Sequence, residues 1–430
     1  MIIRELIEKI EGEAELDFTF SEGKIEDVQI NFGFYRGMEE ILEGRDARDA
    51  LVITPRVCGI CNHAHLITAV KAIENGYENA GLKVALSPKA KAIREFTLSC
   101  ELMQNHMTWF YMTILPQLEK LTGEISTQNY ALKASYFSST VTKAMSIFSG
   151  QWPHSSYAVP GGVTCDPSYV DVMQAENLID ECIRFFEEML TGLSFEKYLS
   201  LNSLSSLGSV EGDLGKALWL IDKNEMAEAG QSHDRFIVLG DSVLAKPGKA
   251  QATKVSNVAL RYVEESVQTG TTAKAVSYKQ KLYEAGPLAR AIVGKEPLVK
   301  SLHKRYKDSI FTRVFARVHE VATLLVQSKK LLNALQLDEP SCTLGKMLEA
   351  VDFEGEAAVE AARGSLIHKT SVKEGKIENY EIIVPTQWNL SHGNEKEEGV
   401  AVKAMVGSKT IQDATFIFRT FDICSVCTTQ

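Results

Sequence analysis

Two Cys-x-x-Cys pairs bracket this chain. Cys58 and Cys61 stand near its start, and Cys424 and Cys427 fall at the very end of its 430 residues. Each pair can bite one metal ion, and four thiolates together suit a soft or borderline ion such as zinc, nickel or iron. Structural tetrathiolate zinc sites usually place their pairs about 15–20 residues apart, so that the metal folds one small module. Here nearly the whole chain intervenes. A site joining the two ends of a large fold lies deep inside it, which suits a buried reaction centre better than a surface staple. The spacing leaves both a zinc staple and a catalytic metal open, and favours the second.

The residues around the pairs narrow the choice. The first pair reads Arg56-Val-Cys58-Gly-Ile-Cys61-Asn-His63-Ala-His65; the second reads Phe421-Asp422-Ile-Cys424-Ser-Val-Cys427-Thr-Thr-Gln430. Elsewhere stand Ile10-Glu11-Gly12, Arg36-Gly-Met-Glu39, Gly44-Arg-Asp-Ala-Arg-Asp-Ala50 and Pro160-Gly-Gly-Val-Thr164. Toward the end come Glu360-Ala-Ala-Arg363-Gly-Ser-Leu-Ile-His368 and Val384-Pro-Thr-Gln-Trp-Asn389. In this order the segments resemble the large subunit of nickel–iron hydrogenases, from residue 10 to residue 430. Details such as Asn62-His-Ala-His65 resemble the cytosolic uptake and sensory branch.

The resemblance implies a fold and a set of roles. The fold would be mainly α (α+β), a large multihelical domain with small antiparallel β regions near both termini. Cys58 and Cys424 would be terminal nickel ligands, while Cys61 and Cys427 would bridge nickel to an iron carrying cyanide and carbon monoxide. Heterolytic splitting of dihydrogen needs a base beside the metal and an exit for the proton. Cys424 is the expected first acceptor and Glu11 the expected carrier outward. His65 would donate a ring N–H to a cysteine sulfur. Arg363 would lie over the metal's open face, paired with Asp422; a guanidinium resists deprotonation, so it balances charge rather than acting as a base. A magnesium ion, or a similar hard cation, would be held by Glu39, the carbonyl of Ile382 and Gln430, where the family usually has histidine. The sequence departs from many relatives in having Ala362 instead of proline before the arginine. It also lacks an acid in the run from His106 to Pro116.

Charge and composition exclude other classes. Net charge is −10 without a Lys/Arg run, which argues against a nucleic-acid partner. No apolar stretch approaches the roughly 18 residues needed to cross a bilayer. The N-terminus lacks a signal-peptide core, so a cytoplasmic location is expected, with membrane association only through partners. Cys100, Cys165, Cys182 and Cys342 are isolated and read as small buried hydrophobes. They offer no iron–sulfur spacing. Electrons released at the metal would therefore need an iron–sulfur small subunit, in a heterodimer that could assemble further. That partner is expected to dock near the first cysteine motif and the His154–Thr164 loop, whose glycines would admit another backbone.

Patterning places the motifs. Alternation over Ala14–Phe20 and Val28–Phe32 predicts a hairpin. A helix is expected ahead of Glu11, and further helices over His65–Asn79, Pro88–Leu115, Pro167–Tyr198 and Thr312–Leu335. Tyr380–Val384, Val400–Met405 and Ala414–Phe418 read as extended. A single domain over 1–430 is expected, with metal half-sites in 1–66 and 341–430 around a helical body, 67–340. The rival readings are a hydrogen sensor, a complex I quinone-site subunit and a zinc-stapled structural protein.

Overall fold

The computed structural model describes residues 2–9, 12–33, 35–124, 127–245, 250–267, 271, 274–343, 351–422 and 424. The alternation over residues 14–30 forms strands, as expected. β1 (Ile2–Lys9), β2 (Gly12–Ser21) and β3 (Lys24–Asn31) make an antiparallel sheet in that order. Ala14, Leu16, Phe18, Val28 and Ile30 bury one face of it. β1 corrects the expected first helix: all its residues find a ladder partner within Gly12–Thr19 of β2, and cross-strand pairing outweighs their helical propensity.

The body is a set of long helices. α1 (Asn62–Asn79) begins directly after Cys61, and α2 (Pro88–Trp109) begins at Ser87, whose hydroxyl accepts the Ala90 amide at 3.1 Å. α3 (Tyr130–Ser149), which patterning missed, packs between α2 and α4 (Tyr169–Phe185). α4 starts at Ser168 with a capping box to Asp171, not at Pro167. It ends at Phe185 in a π-helical turn, Phe186–Thr191, well before Tyr198. α5 (Ile310–Asn333) lies against α2 and α4, and its inward face carries the charged residues Arg313, Arg317 and Glu320.

A second antiparallel sheet follows, β4 (Phe353–Ala361), β5 (Gly364–Lys373) and β6 (Lys376–Ile383). The two segments expected to be extended beyond Tyr380–Val384 are helical, within Val400–Met405 and Ile411–Thr420. Short apolar runs carry no period that separates strand from helix, and in Val400–Met405 every residue but Lys403 is buried. One cluster of buried apolar side chains runs from Ala14 to Cys424. No helix among the described residues is long and apolar enough to cross a membrane.

α1 and β4 approach more closely than ordinary side chains allow. A Cβ at Gly355 would sit 2.1 Å from the Ala72 carbonyl oxygen, and one at Gly76 would meet the Phe353 ring. Since α1 carries the first cysteine arm, this contact fixes its depth in the fold. Gly355→Ala is expected to lower stability by about 1–3 kcal/mol through overpacking. Chemical denaturation with an unchanged m-value measures that loss, and a parent-like midpoint would show that the helix can retreat.

Candidate metal centre

The first cysteine arm is a tight turn pinned from several sides. Nη1 of Arg36 donates to the Val57 carbonyl at 2.6 Å and its Nη2 donates to that of Arg56 at 3.0 Å. Asn62 Nδ2 closes the turn onto the Gly59 carbonyl at 3.1 Å. Within the turn, the amides of Ile60 and Cys61 point at Cys58 Sγ, at 3.4 and 3.3 Å. Amide donors favour the charged sulfur over the thiol.

The second arm arrives from the helix Ile411–Thr420 rather than from a sheet loop. Asp422, with a left-handed φ of 61°, turns the chain so that Cys424 drops onto the first arm. Cys58 Sγ and Cys424 Sγ lie 3.4 Å apart, and the sulfurs of Cys58, Cys61 and Cys424 all fall within 4.8 Å of one another, fully buried. That is the spread of donors around one ion. Cys427 and Gln430 lie outside the described residues, as does Glu11.

Arg363 occupies the tight turn between β4 and β5, where Ala361 pairs with Gly364. Its Nε stands 2.9 Å from Asp422 Oδ2, and its Nη1 donates to Asn105 Oδ1 at 3.1 Å. Asn105 in turn donates to the Ile60 carbonyl at 2.6 Å, inside the first cysteine turn. One guanidinium therefore ties both arms together. Burial would lower its pKa, but Asp422 and then Cys424, Cys61 and Cys58 raise it well above the ordinary arginine value. His65 is buried and its Nδ1 faces His368 Nε2 at 3.1 Å, with Tyr380 Oη 2.9 Å from the far nitrogen of His368. Burial brings His65 down to about 4, so its ring is neutral.

Glu39 sits on the short helix Met38–Leu42, and its Oε1 accepts the amide of Ile382 at 2.7 Å. Within the His154–Thr164 loop expected at the docking surface, two of the side chains are buried inside the chain. Tyr157 and Val163 are 4% and 1% exposed, and a Cβ at Gly162 would strike the Ser341 carbonyl at 2.2 Å. Its glycines admit this chain's own backbone. The neighbouring His154 does lie beside the first motif: its amide donates to Asn62 Oδ1 at 3.1 Å.

The family model described as nickel-dependent hydrogenase matches residues 36–118 and 251–430. The chain belongs to that family. It is therefore an oxidoreductase acting on dihydrogen. It is 26% identical to the periplasmic [NiFeSe] hydrogenase large subunit of Desulfomicrobium baculatum, over 93% of this chain and 88% of that one. It is 25% identical to sulfhydrogenase 1 subunit alpha of Pyrococcus furiosus, over 98% and 96%. The Ni-Fe-Se hydrogenase of D. vulgaris Hildenborough shares its fold with a TM-score of 0.84, at 22% identity and full coverage of both chains.

Several residues of this hydrogenase's centre escaped sequence reading. Arg317 donates to Asp422 Oδ2 at 2.6 Å, so two guanidiniums share one carboxylate oxygen. Arg290, fully buried, grips Glu320 at 2.6 and 2.7 Å and Glu360 at 3.0 Å, and binds the carbonyls of Ala361 and Ala362 just before Arg363. The signal was present in α5: Arg313, Arg317 and Glu320 fall on one face of the helix, between apolar residues such as Val314, Phe315, Val318 and Val321. Of the isolated cysteines, Cys100 and Cys182 are buried, but Cys342 is exposed and Cys165 partly so. Glu101 had no motif. Its oxygens accept the amides of His63 and Ala64 at 2.7 and 2.9 Å, capping α1 from another helix.

Burial pushes Glu101 up to about 8, against the pull of those amides and of Arg363. The folded pKa is thus raised above the unfolded value. The stability it contributes is full below the ordinary glutamate value of 4.5 and is lost as pH rises to about 8. Glu101→Gln, which cannot ionise, is expected to gain on the parent over that window by on the order of 1–3 kcal/mol. Denaturation at both ends of the window measures the difference. Parallel pH curves would show that Glu101 does not titrate there.

Proposed function

We propose that this hydrogenase is the catalytic large subunit of a nickel–iron enzyme of the cytosolic uptake branch, oxidising dihydrogen to protons and electrons for an iron–sulfur small subunit. The supporting observation is the buried cluster of sulfurs from opposite ends of the chain, bridged by Arg363. Cys58, Cys61 and Cys424, with Cys427 from the sequence, are the donors that would hold nickel and iron; soft thiolates suit both. When bound, that centre supplies a redox-active Lewis acid at which dihydrogen is polarised. Cyanide and carbon monoxide on the iron follow the family pattern and belong to the same proposal.

The chain's own residues then handle charge and protons. Cys424 takes the first proton on its sulfur. Glu11 passes it outward, since a carboxylate can accept, rotate and release. Arg363 stays charged through the cycle and offsets the sulfurs' negative charge, while Asp422 and Asn105 hold its plane. His65, neutral and held at Nδ1 by His368, would offer its other ring nitrogen as an N–H donor to a cysteine sulfur. The two electrons leave through the partner, which we place beside His154 and the first cysteine turn because Asn62 joins those segments.

Nickel and iron in the purified protein, with infrared bands of metal-bound cyanide and carbonyl, are the expected composition; stoichiometric zinc alone would end this reading. Cys424→Ser is expected to abolish hydrogen uptake and impair nickel retention, and normal uptake would refute the ligand assignment. Glu11→Gln should keep its metals while hydrogen–deuterium exchange with solvent collapses. Exchange at the parent rate would remove Glu11 from the proton route.

A further inference from the structure

The resemblance carries a hard divalent cation at Glu39, Ile382 and residue 430, yet this chain already brings a cation of its own to Glu39. Lys274 lies on the strand Lys274–Tyr278, paired antiparallel with Val263–Val267. Glu265 is opposite Val276 and Lys274 is opposite Val267, so Glu265 and Lys274 are diagonal neighbours on one face. Thr271 Oγ1 accepts the Phe32 amide at 2.9 Å, fastening this hairpin to the end of the N-terminal sheet, just ahead of Glu39. The ammonium of Lys274 consequently stands 3.5 Å from Glu39 Oε2 and 3.6 Å from Glu265 Oε2.

The cavity here, about 470 Å³, is lined by Glu39, Glu40, Glu43, Glu265 and Glu381 against Lys274 and Lys369, but the two oxygens of Glu39 itself are already engaged. Magnesium takes carboxylate oxygens at about 2.0–2.1 Å in a near-octahedral shell of oxygens. One oxygen of Glu39 already accepts the Ile382 amide, and the other faces an ammonium, which offers only donors and repels a second cation. The other nearby lysine, Lys369, is engaged by Glu381 at 3.0 Å. The last residue is Gln430, a weaker ligand for a hard cation than the histidine the resemblance expects. Burial lowers the Lys274 pKa, but Glu265 and then Glu39 raise it above the ordinary lysine value, which favours the charged form.

We propose that the Lys274 ammonium replaces the divalent cation of this site. It offsets one of the two negative charges of Glu39 and Glu265 and joins the helix Met38–Leu42 to the hairpin. Through Glu39 and Ile382 it steadies β6, on the way to the second cysteine arm. Lys274 is thus a positioning residue: it acts on the arm through Glu39. Without it, two carboxylates would face each other, and Glu265 Oε1, buried without a hydrogen-bond partner among the described residues, would add an open acceptor. A divalent ion should enter that vacancy.

Metal analysis of the native protein after EDTA treatment tests the proposal. Magnesium, manganese and calcium are expected well below one per chain, with the same melting temperature in EDTA and in magnesium. Lys274→Gln should melt lower in EDTA, recover on adding Mg²⁺, and bind Mn²⁺, read by electron paramagnetic resonance, about tenfold more tightly than the parent. One EDTA-resistant magnesium or manganese per parent chain would overturn the proposal. So would a Lys274→Gln variant that melts like the parent in EDTA and gains no Mn²⁺ affinity. If that variant does not fold, the parent's metal content decides. Nickel and iron counted in the same sample keep a failure here distinct from a failure of the metal-centre reading.

Discussion

The guanidinium of Arg363 is the interaction on which the centre depends. Sulfurs packed within a few ångströms of one another inside an apolar core repel as they ionise, and burial weakens the screening between them. Compensation has to come from a fixed positive charge. Arg363 supplies it between Asp422, which belongs to the second arm, and Asn105, which reaches into the first. A lysine would give a point charge without the fork needed to touch both.

That charge is itself held by a second layer of ions. Arg290 clasps Glu320 and Glu360 and binds the carbonyls just ahead of Arg363, so the hairpin tip cannot swing. Glu320 also faces His106 at 2.9 Å, on the helix that carries Asn105 and Glu101. Breaking one member of such a network leaves an unpaired charge in the core, so its loss costs more than the pair contributes. Rigid helices and a glycine-tight contact with β4 set the depth of the first arm, and the chain reversal at Asp422 sets the second. The consequence for function is preorganisation: donors and counter-charges occupy their places before any substrate enters.

Much of the architecture was legible where physics is local. Ser87-Pro88 opened α2 because a hydroxyl cap and a proline at the first turn both act within a few residues. The β2–β3 hairpin was legible from strict alternation. Ile2–Lys9 and Ile411–Thr420 were misread, since the first became a strand by pairing with β2 and the second a helix by packing. The Pro160–Thr164 glycines were rightly seen as a site of close approach, but the approaching backbone is the chain's own Ser341–Cys342.

The sequence by itself determined the chemistry of the centre: two chelating thiol pairs from residue type and spacing, and, from the resemblance of the surrounding motifs, an arginine and its aspartate. Tertiary structure alone decided who surrounds them. Asn105, Arg317, Glu101 and Lys274 carry no motif, because their roles arise from contacts between residues far apart in the chain. Local propensity records what a residue can do within a few neighbours; a buried charge finds its partner only when the fold has closed.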